Sequence, residues 1–122
     1  MIWFENTSGD ATTFTMHTVS SSLPLTLDTK SADIDGDGDR DIAAVVGVTD
    51  KIVWFENVDG DGASFTEHLI KSGADRPARL LLGDIDADGD QDVIASSTFD
   101  DTLAWFENVG DGTSFTERVV EC

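Results

Sequence analysis

Asp84-Ile85-Asp86-Ala87-Asp88-Gly89-Asp90-Gln91-Asp92 repeats Asp33-Ile34-Asp35-Gly36-Asp37-Gly38-Asp39-Arg40-Asp41 at seven of nine positions, and both place an aspartate at every second residue. Carboxylates this close repel one another unless a cation sits among them, and a hard, oxygen-seeking cation suits an all-carboxylate set. Calcium is the first candidate. The plainer reading, an acidic turn that merely stays hydrated, is weakened by the second copy at the same spacing.

Counted from Asp33 or Asp84 as position 1, carboxylates fall at positions 1, 3 and 5, glycine at position 6 (Gly38, Gly89) and a further aspartate at position 9 (Asp41, Asp92). This is the first three quarters of an EF-hand loop, in which position 6 needs glycine for a sharp turn and position 7 ligates through its main-chain carbonyl. Asp39 and Asp90 are therefore expected to ligate by carbonyl. The bidentate glutamate of position 12 is replaced by Ala44 and Ala95, so position 9 completes the shell. The segments just past each loop, Ile42 to Val46 and Val93 to Ala95, read as strands and not as exiting helices. The spacing predicts a cation loop inside a β-hairpin.

The unit around each loop recurs. Trp-Phe-Glu-Asn stands at Trp3 to Asn6, Trp54 to Asn57 and Trp105 to Asn108, a period of 51 that the acidic loops share. A unit of about 50 residues fits a propeller blade of four antiparallel strands. In the last unit, Arg79 to Gly83 reads as an apolar innermost strand and Asp92 to Ser97 as the second. Leu103 to Asn108 is the third and Ser114 to Val120 the outer one, with turns at Phe99 to Asp101 and Gly110 to Gly112. Trp105 and Phe106 are adjacent and so face opposite ways, which requires cover on both sides, as for a blade between neighbours. No stretch keeps a helical period. The expected organisation is all-β: a half blade at 1–22 and full blades at 23–72 and 73–122, about two and a half blades in all.

Asp-x-Asp-x-Asp-Gly-x-x-Asp within a four-stranded unit that ends in Trp-Phe-Glu-Asn, a Gly-Asp-Gly turn and Phe-Thr resembles the FG-GAP/VCBS repeats, the blades of the integrin α-subunit propeller and of many bacterial secreted proteins. The likeness covers essentially the whole chain. It implies a β-propeller, usually of seven blades, whose calcium ions stiffen the hairpins between first and second strands. The ligands it implies are Asp33, Asp35, Asp37, Asp39 (carbonyl) and Asp41, then Asp84, Asp86, Asp88, Asp90 (carbonyl) and Asp92, for two ions per chain.

Composition limits the rest. A chain of 122 residues with 25 acidic side chains, 19 of them aspartate, has a net charge of −18, which argues against nucleic acid and anionic membranes as partners. No run is long and apolar enough for a transmembrane helix, and no basic, apolar leader precedes Ile2-Trp3-Phe4. The single cysteine, Cys122, cannot form an internal disulfide but can link two chains. Calcium loops of the affinity usual outside cells place the chain in the extracellular space or at a cell surface.

Propellers close with four to eight blades, so the chain is expected either to be a piece of a longer protein or to assemble with copies of itself. A two-fold dimer joining two half blades is favoured over higher oligomers. His17 and His68 occupy equivalent outer-strand positions filled by Arg118 in the third copy, which reads as a surface position and not a metal or acid-base site. The tryptophans read as packing between blades and not as sugar platforms. No nucleophile, zinc or phosphate-loop motif is present. The function these features support is a non-enzymatic calcium-binding scaffold for binding or adhesion to a protein or glycan. A carbohydrate-binding lectin is the alternative, and a polysaccharide-active enzyme is a distant third.

Overall fold

The computed structural model describes residues 1–120; Cys122 lies outside the described residues. Ten strands run in order: β1 (Ile2–Asn6), β2 (Phe14–Thr18), β3 (Thr26–Ala32), β4 (Asp41–Val46), β5 (Lys51–Asn57), β6 (Phe65–Ser72), β7 (Pro77–Gly83), β8 (Asp92–Ser97), β9 (Leu103–Asn108) and β10 (Phe115–Val120). All pairings are antiparallel between chain neighbours, giving a hairpin β1-β2 and two four-stranded sheets, β3-β4-β5-β6 and β7-β8-β9-β10. These are three blades in an open row, the first with its outer hairpin alone.

The alternation within β5 explains the stacking. Val53 and Phe55 point one way, into a cluster with Val46, Val19 and Trp3; Ile52 and Trp54 point the other, into a cluster with Val45, Leu80, Val93 and Phe106. The middle sheet is covered on both faces, and Trp54 and Phe55 are 1% and 2% exposed. Burial of two large aromatics on opposite faces gives the middle sheet its reason to sit between neighbours.

The inner strands differ in detail from the sequence reading. β7 begins at Pro77, two residues before the expected start, and the register shifts between Pro77 and Arg79 as it does between Thr26 and Asp28 in β3. A proline has no N–H to give to a ladder, and a first position beside a bulge accommodates it. The bulge in β3 leaves Asp28 reaching across the blades, where its Oδ2 accepts from Leu80 N at 3.1 Å.

Candidate metal centres

Each acidic stretch is the connection between the two inner strands of a blade, β3 to β4 and β7 to β8. The loops are wound by their own aspartates, whose carboxylates accept successive backbone N–H groups in the manner that makes aspartate a turn residue. Asp33 takes Gly36 N at 2.8 Å and Gly38 N at 3.0 Å, and Asp37 takes Asp39 N at 2.8 Å. In the second loop, Asp84 takes Asp88 N at 3.1 Å and Gly89 N at 3.0 Å, and Asp88 takes Asp90 N at 2.9 Å. Gly38 and Gly89 have φ of 100° and 101°, the left-handed backbone expected of position 6.

This winding turns carboxylates inward. Asp33, Asp35 and Asp37 bring one oxygen each to within 4.8 Å of the others, and Asp84, Asp86 and Asp88 do the same. No lysine or arginine pairs with these six among the described residues; the nearby Arg40 instead donates to Ser31 O and Oγ at 3.0 Å. Crowding and burial show in the titration of the group: burial, with the charges of Asp41 and Asp37 behind it, pushes Asp35 up to about 6. Asp86 rises in the same direction through desolvation and the charge of Asp88, and Asp90 likewise. The donor set, three converging carboxylate oxygens with no internal counter-charge, fits a hard divalent cation.

Position 9 is placed differently. Asp41 and Asp92 are fully buried, and each carboxylate bridges loop and third strand. Asp41 accepts Ile34 N at 2.8 Å and Asn57 N at 2.9 Å, and Asp92 accepts Ile85 N and Asn108 N, both at 2.9 Å. Burial raises Asp41 above the ordinary carboxylate range. These two residues therefore fasten the loop to the blade. At position 7, the Asp39 carboxylate lies against the β5–β6 turn, where a Cβ on Gly60 would come to within 2.4 Å of it.

Residues 33–95 match the FG-GAP-like repeat, a stretch that runs from the first acidic loop through the second and covers more than half of the chain. The chain belongs to the FG-GAP-like repeat family. No curated protein and no solved structure matches it. Of the ten aspartates expected as ligands, six have converging carboxylates, while Asp41 and Asp92 are held by backbone N–H groups; what the histidines do was missed. His17 stacks on Trp3 and His68 on Trp54, ring centroids 4.5 Å apart in both, while their Nε2 atoms meet Glu5 and Glu56. Arg118 does the same work in the third blade, its guanidinium 5.2 Å from the Trp105 ring and 2.7 Å from Glu107. The signal was available in the sequence: a cationic or imidazole side chain opposite each tryptophan, paired with the glutamate of Trp-Phe-Glu-Asn.

Proposed function

We propose that the chain is a calcium-stabilised β-propeller module, a non-enzymatic scaffold for binding or adhesion outside the cell. The observation that carries this is the twofold occurrence of a self-wound loop with three converging, uncompensated carboxylates at the same place in the blade. Each loop would take one ion through the carboxylates of Asp33, Asp35, Asp37 and Asp41, or of Asp84, Asp86, Asp88 and Asp92, and the carbonyl of Asp39 or Asp90. The ion would cancel the repulsion that otherwise opposes the hairpin, and two ions would bring the formal charge from −18 to −14. Trp3 and Trp54 are engaged by His17, His68 and the neighbouring blades, which leaves little for stacking a sugar and ranks the lectin reading second. β1 pairs with β2 alone, so its free edge suits the two-fold joining of half blades.

Calorimetric titration with calcium tests the reading. Two sites are expected, with affinity on the order of 0.1–1 mM as in extracellular modules. Asp37→Ala and Asp88→Ala should each leave one site. At about 1 mM calcium the linkage stabilises the fold by roughly 0.4–1.4 kcal/mol per site, so chelation should lower the melting temperature. Absence of heat together with a melting curve indifferent to chelator would sink the proposal.

A further inference from the structure

The chain holds six Asp-Gly bonds, at Asp35-Gly36, Asp37-Gly38, Asp59-Gly60, Asp61-Gly62, Asp88-Gly89 and Asp111-Gly112. At each the main chain can attack its own side chain, because glycine has no Cβ to shield its N–H. In a folded protein the attack needs that N–H released. All but one of these glycines give theirs to a side-chain oxygen. Gly36 and Gly38 donate to Asp33 at 2.8 and 3.0 Å, and Gly89 donates to Asp84 at 3.0 Å. Gly62 donates to Asn57 at 3.0 Å and Gly112 to Asn108 at 2.9 Å. Gly60 N has no partner among the described residues.

The exception belongs to one turn. In the half blade the glycine at the corresponding place, Gly9, donates its N–H to Asn6 Oδ1 at 3.0 Å, and in the last blade Gly110 donates to Asn108 Oδ1 at 3.3 Å. In the middle blade Asn57 Oδ1 serves Gly62, and Gly60 is left out. Asp59 and Gly60 are exposed, so water reaches the bond. They also lie beyond the β5–β6 ladder, which the bond from Val58 N to Ser64 O closes at 3.1 Å.

We infer that Asp59-Gly60 is a self-modification site, at which the folded chain converts aspartate to isoaspartate with water as the only co-reactant. Gly60 N attacks Cγ of the protonated Asp59 carboxyl. A C–N bond forms, and the carboxyl OH leaves as water with the N–H proton. A second water then opens the cyclic imide at the main-chain carbonyl carbon of Asp59. The chain now runs through Cγ, and an α-carboxylate is set free. One water is lost and one gained, so the mass does not change. The new carboxylate is the substrate class of a methyltransferase that uses S-adenosylmethionine to cap isoaspartyl groups. Because Gly60 packs against the Asp39 carboxylate, the methylene added to the main chain is felt at the first acidic loop.

Ageing of the full chain at neutral pH in chelator, followed by peptide mapping that separates isoaspartyl from aspartyl forms, tests the inference. Isoaspartate should gather at Asp59 about fivefold faster than at any other Asp-Gly bond, the protection that one retained hydrogen bond gives. Labelled methyl groups transferred by an isoaspartyl methyltransferase should mark the same peptide. Asp33→Ala releases Gly36 N and Gly38 N, and should bring Asp35 and Asp37 to the rate of Asp59. Asp61 and Asp111 should stay slow in that variant, which checks that the blades remain folded. Equal rates at every bond of the unaltered chain, or no isoaspartate at Asp59, would overturn the inference. So would a lead at Asp35, whose carboxyl burial pushes up to about 6, since protonation of the acid and not release of the amide would then set the rate. Chelator keeps cations out of every arm, so failure here leaves the calcium reading standing, and failure of the calcium titration leaves this one.

Discussion

The loops at 33–41 and 84–92 are nearly the same sequence in different surroundings. Ile34, at position 2 of the first, is 1% exposed and packed in the core between blades, whereas Ile85 is 47% exposed. The first loop lies against the following blade: Asn108 Nδ2 donates to Ile34 O at 2.8 Å, across 74 residues of sequence. The second has no following blade among the described residues. Asp33 and Asp35 are half-buried, while Asp84, Asp86 and Asp88 are all exposed. The difference teaches that the neighbour, and not the loop's own residues, decides how deeply an acidic loop is buried and how firmly it is held.

The largest expected effect comes from the carboxylate that fastens each loop. Asp41→Ala strips acceptors from two buried donors, Ile34 N and Asn57 N. At about 1–3 kcal/mol for each unsatisfied donor, the loss is roughly 2–6 kcal/mol. Asp92→Ala removes the same pair of bonds, but Ile85 N is only partly buried and water can reach it, so about 1–3 kcal/mol is expected. Urea unfolding of both variants measures the gap. Equal losses would mean that the neighbouring blade adds nothing to the first loop.

Protons sharpen the comparison further. The carboxyl of Asp35 titrates at about 6 in the folded chain, above its ordinary 3.8, chiefly because burial disfavours the charge. A raised carboxyl pKa means that the folded state binds the proton more tightly than the unfolded state. In calcium-free buffer its contribution to stability is therefore full below pH 3.8 and is lost as pH rises to about 6. With saturating calcium the trend should reverse over the same window, because the ion competes with the proton for the ionised form. Urea midpoints in calcium-free buffer should lose more of this slope in Asp35→Asn than in Asp86→Asn, whose carboxyl is raised in the same direction but is exposed. A calcium-free profile that stays flat, or one unchanged by Asp35→Asn, would refute this account.

Much of this was legible from the sequence because it is local chemistry. Aspartate at alternate positions with glycine at position 6 encodes a loop wherever it stands, and Trp-Phe-Glu-Asn at a fixed period marks the third strand of every blade. Adjacent Trp105 and Phe106 called for cover on both faces, which the described residues supply for Phe106 and, at the equivalent Trp54 and Phe55 of the middle blade, for both side chains, but not for Trp105. The features that were not legible depend on residues distant in the chain. The sequence does not say that Trp3 Nε1 finds Gly62 or that Asn108 holds the Ile34 carbonyl. It also hid the asymmetry of the loops, since seven shared positions of nine imply two equal sites. Only the order of stacking makes them unequal. The bulges before Asp28 and Arg79 escaped notice for a related reason, because a register shift is a property of two strands together.

The smallest expected effect isolates what the loops' own residues do contribute. At position 4 the first loop has Gly36 with φ of 81° and the second has Ala87 with φ of 63°, both left-handed. An L-residue in that region is disfavoured by roughly 1–2 kcal/mol, because its Cβ crowds the following carbonyl. Replacing alanine by glycine also frees the unfolded chain, which returns about 0.4–1 kcal/mol to the unfolded side. The net expectation for Ala87→Gly is a gain of roughly 0.5–1 kcal/mol, read as a higher urea midpoint at unchanged slope. The exposure of Ile85 and Asp84 should stay as it is, since the substitution supplies no neighbour. If Ala87→Gly instead closed the whole gap between Asp41→Ala and Asp92→Ala, backbone strain at one residue, and not the blade packed against the first loop, would be what separates the two loops.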